Sequence, residues 1–144
     1  MRAKRSAACS AWPVQLDGFT LTTDVAGTDR VFAGVISGAA AGSNLIKTGT
    51  ARLTLTGTNT YVGTTDVNGG MLRIGDGVSN GALGNGAVTL ANGTTIQFNP
   101  NTSYVVGNTI TGGAGTAIQN LSGTTTLQNA NSAATTTVVG GRLN

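Results

Sequence analysis

The side chains that could carry out acid–base chemistry in this chain are five aspartates. Its 144 residues contain no histidine and no glutamate, so a general acid or base would have to be one of Asp17, Asp24, Asp29, Asp66 and Asp76. Enzymes that cleave polysaccharides bring two carboxyl groups to one cleft. Asp66 and Asp76 lie ten residues apart and could approach across a coil, but aspartates among glycines and asparagines more often cap turns. We therefore predict no catalytic residues.

The remaining candidate groups predict no metal site and no cofactor site. The single cysteine, Cys9, cannot form a disulfide within the chain. The glycine-rich stretches 75–86 and 107–115 lack the lysine and hydroxyl residue of a phosphate-binding loop. GGMLRIGDG, residues 69–77, lacks the spacing of calcium-binding nonapeptide repeats. Tyr61 could mark a binding surface, although packing is the preferred interpretation.

The net charge of +3 does not predict binding to nucleic acid. Three cations, Arg2, Lys4 and Arg5, stand in the first five residues, and beyond them five cations balance five aspartates. The body of the chain is therefore neutral and lacks the basic surface that a phosphate backbone requires. The basic N-terminus also lacks the apolar run of a secretory signal, and no stretch reaches the length of a membrane-spanning helix.

The elements that must position these residues are predicted to be short β-strands. Threonine, glycine and asparagine supply 25, 23 and 13 residues. Threonine favours strands, whereas glycine and asparagine tolerate the left-handed backbone of tight turns. Glutamate is absent and lysine is scarce, so the residues that favour exposed helices are missing. This composition predicts an all-β fold.

Alternation of apolar and polar residues predicts that each strand buries one face. The clearest predicted strands are RVFAGVIS, ARLTLT, TTDV, MLRI, AVTL, TTIQF, YVVGNTIT, TTTLQ and TTTVV, which begin at residues 30, 51, 64, 71, 87, 94, 104, 124 and 135. The side chains expected to point inwards are Val31, Ile36, Leu53, Leu55, Val67, Leu72, Ile74, Val88, Leu90, Ile96, Phe98, Ile110, Leu127, Val138 and Leu143. The opposite face carries mainly threonine, so we expect it to face solvent.

The chain also contains an internal repeat of about 72 residues. IKTGTARLTLTGTN from Ile46 parallels IQNLSGTTTLQNAN from Ile118, and TTDVNGGML from Thr64 parallels TTTVVGGRL from Thr135. Such a period predicts a solenoid with about three coils per repeat. Asn92-Gly93, between AVTL and TTIQF, instead favours an antiparallel hairpin and hence a meander or sandwich. The long repeat favours the solenoid.

A series of short motifs follows one another within residues 30–99: Gly34 to Gly38, Lys47-Thr48-Gly49, Leu53-Thr54-Leu55, Gly57 to Tyr61, Thr64 to Gly70, Leu72 to Gly75 and Gly81 to Leu90. With these motifs, residues 30–99 closely resemble the autotransporter-associated β-strand repeat of bacterial autotransporter passenger domains, also called the passenger-associated transport repeat. Residues 105–144 resemble it loosely, with Gln119-Asn120 in place of the Lys-Thr start and Ala133 in place of the tyrosine.

The resemblance implies a right-handed parallel β-helix that is displayed on the bacterial surface, associated with the outer membrane or secreted. It also implies a C-terminal outer-membrane barrel translocator in the parent protein, of which this chain would be an incomplete passenger fragment. The implied function is non-catalytic: a structural segment that supports export and extension from the cell surface. Two alternatives remain, an adhesin module that binds host glycan or protein and a polysaccharide-cleaving β-helix enzyme.

The predicted organisation has two parts. Residues 1–18 are interpreted as a leader or a disordered N-terminus, in which Trp12, Val14 and Leu16 could cap the fold, and residues 19–144 as the solenoid. The last residues, 141–144, belong to a predicted strand with one charge, Arg142. Because an uncapped strand edge can pair with another chain, we expect self-association through this C-terminal coil.

Overall fold

The computed structural model describes residues 12–144, and within this range every regular element is a β-strand. Residues 1–11, which include Cys9 and the basic start of the interpreted leader, lie outside the described range. The sixteen strands are β1 (Val14–Gln15), β2 (Leu21–Asp24), β3 (Arg30–Phe32), β4 (Ile36–Ser37), β5 (Leu45–Thr48), β6 (Arg52–Leu55), β7 (Thr65–Val67), β8 (Met71–Ile74), β9 (Val88–Leu90), β10 (Thr95–Phe98), β11 (Ser103–Val106), β12 (Ile110–Gly112), β13 (Ala117–Asn120), β14 (Thr124–Leu127), β15 (Thr135–Val138) and β16 (Arg142–Leu143). A search of the described part for helices long and apolar enough to cross a membrane found none.

The strands stack in parallel on three sides of a β-solenoid, which confirms the predicted fold class. Sheet 1 contains β2, β5, β7, β9 and β12, and sheet 2 contains β3, β6, β8, β10, β13 and β15. The third side holds the pair β1 and β4 at one end and β11, β14 and β16 at the other. Between them, Thr58 and Ala82 form an isolated parallel bridge. Each coil therefore runs through sheet 1, sheet 2 and the third side.

The length of a coil follows from the residues that pair between neighbouring strands. In sheet 1, Leu21, Leu45, Thr65, Val88 and Ile110 stand in one row, separated by 24, 20, 23 and 22 residues. The six strands of sheet 2 correspond to six coils. At about 4.8 Å between parallel strands, the stack is about 30 Å long.

Inward-facing side chains form apolar rows along the axis of the solenoid. One row of sheet 2 contains Leu53, Leu72, Ile96 and Ile118, and the next contains Phe32, Leu55, Ile74, Phe98 and Asn120. Most of the expected core side chains are buried: Ile36, Leu53, Leu55, Val67, Leu72, Ile74, Val88, Leu90, Ile96, Phe98 and Ile110. Leu127 and Leu143 are half-buried.

Two residues of the expected core are exposed, and the prediction for them was wrong. Val31 is 43% exposed because its partner in the next strand, Thr54, belongs to the outward row, so that Phe32 takes the inward place beside Leu55. Val138 is 50% exposed although it stands in the inward row with Asn120. It lies in the outermost strand of sheet 2, where a covering coil is absent from the described residues.

The Asn92-Gly93 turn joins two sides of one coil and does not form a hairpin. β9 pairs with β7 and β12, whereas β10 pairs with β8 and β13. Gly93 has a φ of +77° and donates its backbone N–H to the carbonyl of Ala114 in the next coil. The same left-handed glycine that would close a hairpin therefore turns a corner of the solenoid.

The solenoid begins before Phe19. β1 pairs with β4, and Leu16 is buried against the core. Trp12 and Phe19, by contrast, are 81% and 76% exposed. Residues 14–16 therefore extend the stack as part of a coil and do not fold across its end.

Corresponding strands of the two repeat copies lie on different sides of the solenoid, and the second copy is shifted by one side relative to the first. β5 and β7 in sheet 1 correspond to β13 and β15 in sheet 2, and β6 and β8 in sheet 2 correspond to β14 and β16 on the third side. Counting the Thr58–Ala82 bridge positions, ten strand positions separate β5 from β13. With three positions per coil, the repeat spans about three and one-third coils, so corresponding strands face directions about one-third of a turn apart.

Candidate functional site

The structure does not bring Asp66 and Asp76 together. Asp66 lies on the outer face of β7 in sheet 1 and accepts a hydrogen bond from the hydroxyl of Thr64 at 3.0 Å. Asp76 follows β8 of sheet 2, and one of its carboxylate oxygens accepts the backbone N–H groups of Ser79 and Val78 at 2.7 and 2.9 Å. These two hydrogen bonds hold the pKa of Asp76 below its usual value. Asp76 therefore caps a turn.

The other three aspartates are also engaged separately. Asp29 forms an ion pair with Arg52, Asp24 accepts the hydroxyl of Thr48, and Asp17 accepts the amide of Gln15. Within residues 12–144 no three side chains among histidine, cysteine and the acidic residues converge to hold a metal ion. Each of the five aspartates is thus held by a different partner in the described part of the chain.

A small cavity lies on the third side, next to the residues that interrupt its strands. It measures about 250 Å³ and is lined by Leu83, Gly84, Asn85, Tyr104, Val105, Gly107 and Asn108. Two of its polar side chains, those of Tyr104 and Asn108, already have partners. The hydroxyl of Tyr104 accepts the backbone N–H of Leu83 at 3.0 Å, and the amide of Asn108 donates to the carbonyls of Gly84 and Gly86 at 2.7 and 2.6 Å. These groups are therefore committed to holding the chain.

The most unusual interior group is the ammonium of Lys47. Lys47 stands in an inward position of β5 and is fully buried. Its Nζ donates to the carbonyls of Thr48, Gly49 and Gly69 at 3.0, 2.8 and 2.9 Å. Gly69 belongs to the next coil, so Lys47 ties two coils together at the corner between sheets 1 and 2. Burial lowers the pKa of Lys47, and the charge of Asp24 opposes this shift.

Asn120 occupies the corresponding place in the second copy of the repeat. It is fully buried at the end of β13, and its amide donates to the carbonyls of Gly140 and Arg142 at 2.9 and 3.1 Å. Gly140 is the counterpart of Gly69, which follows from the alignment of TTDVNGGML with TTTVVGGRL. Sequence alignment placed Gln119 opposite Lys47. The buried donor is instead its neighbour Asn120, because Asn120 stands in an inward position of β13 and Gln119 in an outward one.

A pair of asparagines, Asn59 and Asn131, also links coils. Oδ1 of Asn59 accepts the backbone N–H of Ile36 at 2.8 Å, and Nδ2 of Asn59 donates to the carbonyl of Ala82 at 2.7 Å. In the second copy, Oδ1 of Asn131 accepts the backbone N–H of Ile110 at 2.7 Å. Each amide thus supplies the backbone partner that a missing strand would have supplied.

Tyr61 is part of the interior and not of a binding surface. Its side chain is fully buried, and its ring lies against Gly84, where a Cβ atom would collide with it. Its hydroxyl shares a hydrogen bond of 2.6 Å with the hydroxyl of Thr65. Burial raises the pKa of Tyr61, and the hydrogen bond to Thr65 opposes that shift. Packing is therefore its role.

Residues 45–74 match the family model of the passenger-associated transport repeat. The match includes Lys47, Asn59, Tyr61 and the corner Gly69-Gly70, which together form the interior contacts described above. Comparisons with curated proteins and with solved structures gave no significant match. The transport repeat and the solenoid fold fit a segment of an autotransporter passenger, and the transport repeat is not a catalytic family.

Sequence reasoning missed the interior role of Lys47 and Asn59. Lys47 was noted only as the start of the transport repeat, because a charged residue normally indicates an exposed position. The available signal was the correspondence between the two copies. In both, a long or amide-bearing polar residue precedes a Gly-Gly corner by about twenty residues, as in Lys47 with Gly69 and Asn120 with Gly140.

Proposed function

We propose that this chain is a non-catalytic structural segment of an autotransporter passenger that is displayed on a bacterial surface or secreted. Its solenoid supports export of the passenger and its extension from the cell surface. The parent protein carries a linked outer-membrane translocator in this proposal, as the match to the transport repeat suggests. The proposal assigns no cofactor and no catalytic residue to the described chain.

The observation that carries this proposal is that the recurring polar contacts lie inside the solenoid. Lys47 and Asn120 both tie a coil to the Gly-Gly corner of the next coil. Outward charged residues do not recur: Arg52 corresponds to Thr124, and Asp66 to Thr137. A repeated binding surface would also need corresponding residues on one wall, whereas the two copies face different sides. The two copies of the repeat therefore share the contacts that stack one coil on the next, and they do not share an outer surface.

Contacts between neighbouring coils suit a chain that folds while it is exported. Each coil hydrogen-bonds to the coils before and after it, so stability is approximately a sum of contributions from neighbouring pairs. A coil that has left a pore can therefore stack on the previous coil before later coils arrive. The buried donors of Lys47 and Asn59 strengthen these junctions at positions where no strand pairing is available.

This function can be tested by displaying the full chain in front of an autotransporter translocator on Gram-negative cells. We expect Lys47→Met and Asn120→Leu to reduce the amount of protease-resistant chain on intact cells, because both remove contacts between coils. The control is Thr89→Ala, which changes an exposed residue of β9 and should leave display unchanged. Equal display of all variants would contradict the proposal.

Catalysis can be tested separately, since the predicted absence of activity rests on the dispersed aspartates. A variant with asparagine at all five aspartate positions should behave like the original chain towards acidic and neutral polysaccharides. Reproducible cleavage that disappears in this variant would establish an enzyme and refute the assignment.

A further inference from the structure

Two arginines share the outer face of sheet 2 near the start of the solenoid. Arg52 lies in β6 and Arg73 in β8, and both point outwards because Leu53 and Leu72 point inwards. In the register of these strands, Arg52 pairs with Met71 and Thr54 pairs with Arg73. The two arginines are therefore diagonal neighbours on adjacent strands, with Cα atoms roughly 8 Å apart. Their long side chains can reach a common group.

Both guanidinium groups keep donors available in this arrangement. Nη2 of Arg52 pairs with Asp29 at 2.8 Å, and Nε of Arg52 is buried away from solvent, so the donor that Arg52 keeps available is Nη1, which forms no hydrogen bond among residues 12–144. Arg73 donates from Nε to the amide oxygen of Gln97 at 3.1 Å. Hydrogen bonds from its two Nη groups are absent from the described part of the chain, so those groups can serve a ligand.

The electrostatics of the pair favour an anion. Burial lowers the pKa of Arg73 first, and the positive charge of Arg52 lowers it further, whereas the carboxylates of Asp29 and Asp76 oppose these effects. Asp29 is already engaged with the side chain and the backbone N–H of Arg52. An oxyanion between the two guanidinium groups would relieve their mutual repulsion and accept charge-assisted hydrogen bonds.

Polar side chains continue from Arg73 along the same row of the wall. Nε2 of Gln97 donates to Oε1 of Gln119 at 2.7 Å, and Gln119 is half-exposed. Successive residues of this row are about 4.8 Å apart, a spacing close to the length of one sugar unit in an extended polysaccharide. The aromatic residues of sheet 2, Phe32 and Phe98, point inwards, so the wall offers no platform for stacking nucleic-acid bases.

We propose that the outer face of sheet 2 binds an acidic polysaccharide, with a carboxylate or sulfate group between Arg52 and Arg73 and a sugar hydroxyl on the half-exposed Gln119. Gln97 lies between them but is buried and already bonded to Arg73 and Gln119, so it is assigned no ligand contact. This activity goes beyond the structural function, because the two arginines belong to only one copy of the repeat. Their counterparts in the second copy are Thr124 and Asn144. The wall of the first copy is thus specialised in a way that the interior is not.

The test is calorimetric titration of the full chain, at low ionic strength, with polygalacturonate, heparin and neutral dextran. We expect saturable binding of the carboxylated or the sulfated polymer, weakening as salt screens the charges, and no binding of dextran. Whichever acidic polymer binds more tightly identifies the preferred oxyanion. Arg73→Gln should weaken binding by about tenfold or more, because it removes charge-assisted hydrogen bonds.

Two control variants separate this site from general attraction to a cationic chain. Arg142→Gln removes the same charge from β16 on the third side, and a variant with glutamine at Arg2, Lys4 and Arg5 removes the basic leader charges. Both should bind like the original chain. Should Arg73→Gln fail to fold, Gln119→Leu replaces it. This change removes a half-exposed amide, together with its hydrogen bond from Gln97, and should weaken binding severalfold.

The proposal is overturned by any of three results. These are the absence of saturable binding to both acidic polymers, equal losses in Arg73→Gln and Arg142→Gln, or loss of binding when the leader charges are removed. Tighter binding of single-stranded DNA than of either polysaccharide would also overturn it, since the ligand would then be a nucleic acid.

Discussion

A buried ammonium group needs a partner for each of its protons, and Lys47 has three. Its acceptors are neutral backbone carbonyls at a corner, where strand pairing ends and carbonyls would otherwise be left without donors. The ammonium group therefore has two effects. Its own three donors are satisfied, and it supplies donors to the backbone carbonyls of the corner. Asn120 achieves the same with a shorter neutral amide, which avoids burying a charge.

We expect Lys47→Met to destabilise the chain by about 3 kcal/mol, at roughly 1 kcal/mol for each lost hydrogen bond. Methionine fills a similar volume, so the change reports on the polar contacts and not on a cavity. The measurement is the free energy of unfolding in urea. Ile46→Met is the matched control, because Ile46 is the half-buried neighbour on the same strand and should cost much less. Unchanged or increased stability of Lys47→Met would mean that the apolar side chain serves equally well.

A second residue-level prediction concerns Tyr61 at alkaline pH. Burial raises its pKa in the folded state, so the folded chain retains this proton at a pH where the unfolded chain has lost it. The corresponding stability is fully present below the unfolded pKa of about 10 and is lost as the pH rises through the folded pKa. Tyr61→Phe should therefore reduce the decline of the unfolding free energy between pH 9 and pH 12, by up to ~1.4 kcal/mol per pH unit.

Tyr104→Phe is a second test of the same effect. Burial also raises the pKa of Tyr104, so this variant should reduce the alkaline decline in the same direction. An alkaline decline of identical slope in the original chain and in Tyr61→Phe would show that Tyr61 does not contribute to it.

At the scale of elements, alternation predicted strands well where the inward positions are apolar. MLRI, ARLTLT and TTIQF appear as β8, β6 and β10 with the expected faces. β5 and β13 were not predicted, because Lys47 and Asn120 occupy inward positions and interrupt the apolar pattern. RVFAGVIS was predicted as one strand but divides into β3 and β4. The division lies at Gly34, which packs against the backbone of Trp12 so closely that a Cβ atom would collide.

From the sequence we predicted that the aspartates do not form a catalytic site, but we did not predict which polar side chains contact one another between coils. Asp66 and Asp76 were expected to cap turns more readily than to meet, and the structure gives them separate local partners, with Asp66 on β7 and Asp76 in the turn after β8. The contact between Arg52 and Asp29 and the row from Arg73 to Gln119 depend on the register between coils. Register follows from corner lengths that vary between coils, and a single sequence does not reveal those lengths in advance.

The faces of a strand can be tested with neighbouring residues of β9. Leu90 is buried, whereas Thr89 beside it is exposed. Leu90→Ala should cost about 2–5 kcal/mol of unfolding free energy, as should Leu55→Ala, while Thr89→Ala should cost well under 1 kcal/mol. Thr54→Ala is a poorer control than Thr89→Ala, because Thr54 is buried although it stands in the outward row. Similar urea midpoints for Leu90→Ala and Thr89→Ala would show that the faces are assigned incorrectly.

At the scale of the whole molecule, the repeat rotates as it advances. A period of about three and one-third coils moves each corresponding strand to the next side, so three such periods restore the starting orientation after ten coils. Interior contacts tolerate this rotation, because the corners between the three sides are built alike: Lys47 serves one corner and Asn120 the next. A feature of the outer wall, such as the Arg52 and Arg73 pair, is therefore not repeated on the same side of the solenoid in the second copy.

The outer edge of β15 and β16 determines how the 144-residue chain should behave as its concentration rises. β15 is the last strand of sheet 2, its four residues are exposed, and Val138 and Val139 are 50% and 64% exposed. The backbone groups on this edge have no paired strand among the described residues, and such an edge can add a strand from a second molecule. We therefore predict concentration-dependent association, measured by sedimentation over a dilution series.

Lysine substitutions locate the surface that associates. Val138→Lys and Leu143→Lys should weaken association, because a charge at the edge opposes the addition of an apolar strand. Val105→Lys is the matched control, since Val105 is 53% exposed but lies in β11, at the opposite edge of the sheet that ends in β16. Association that responds equally to Val138→Lys and Val105→Lys would place the contact on a wall. A monomer at every concentration, with slow hydrogen exchange in residues 135–138, would mean that this edge is covered in solution, and the prediction would then be wrong.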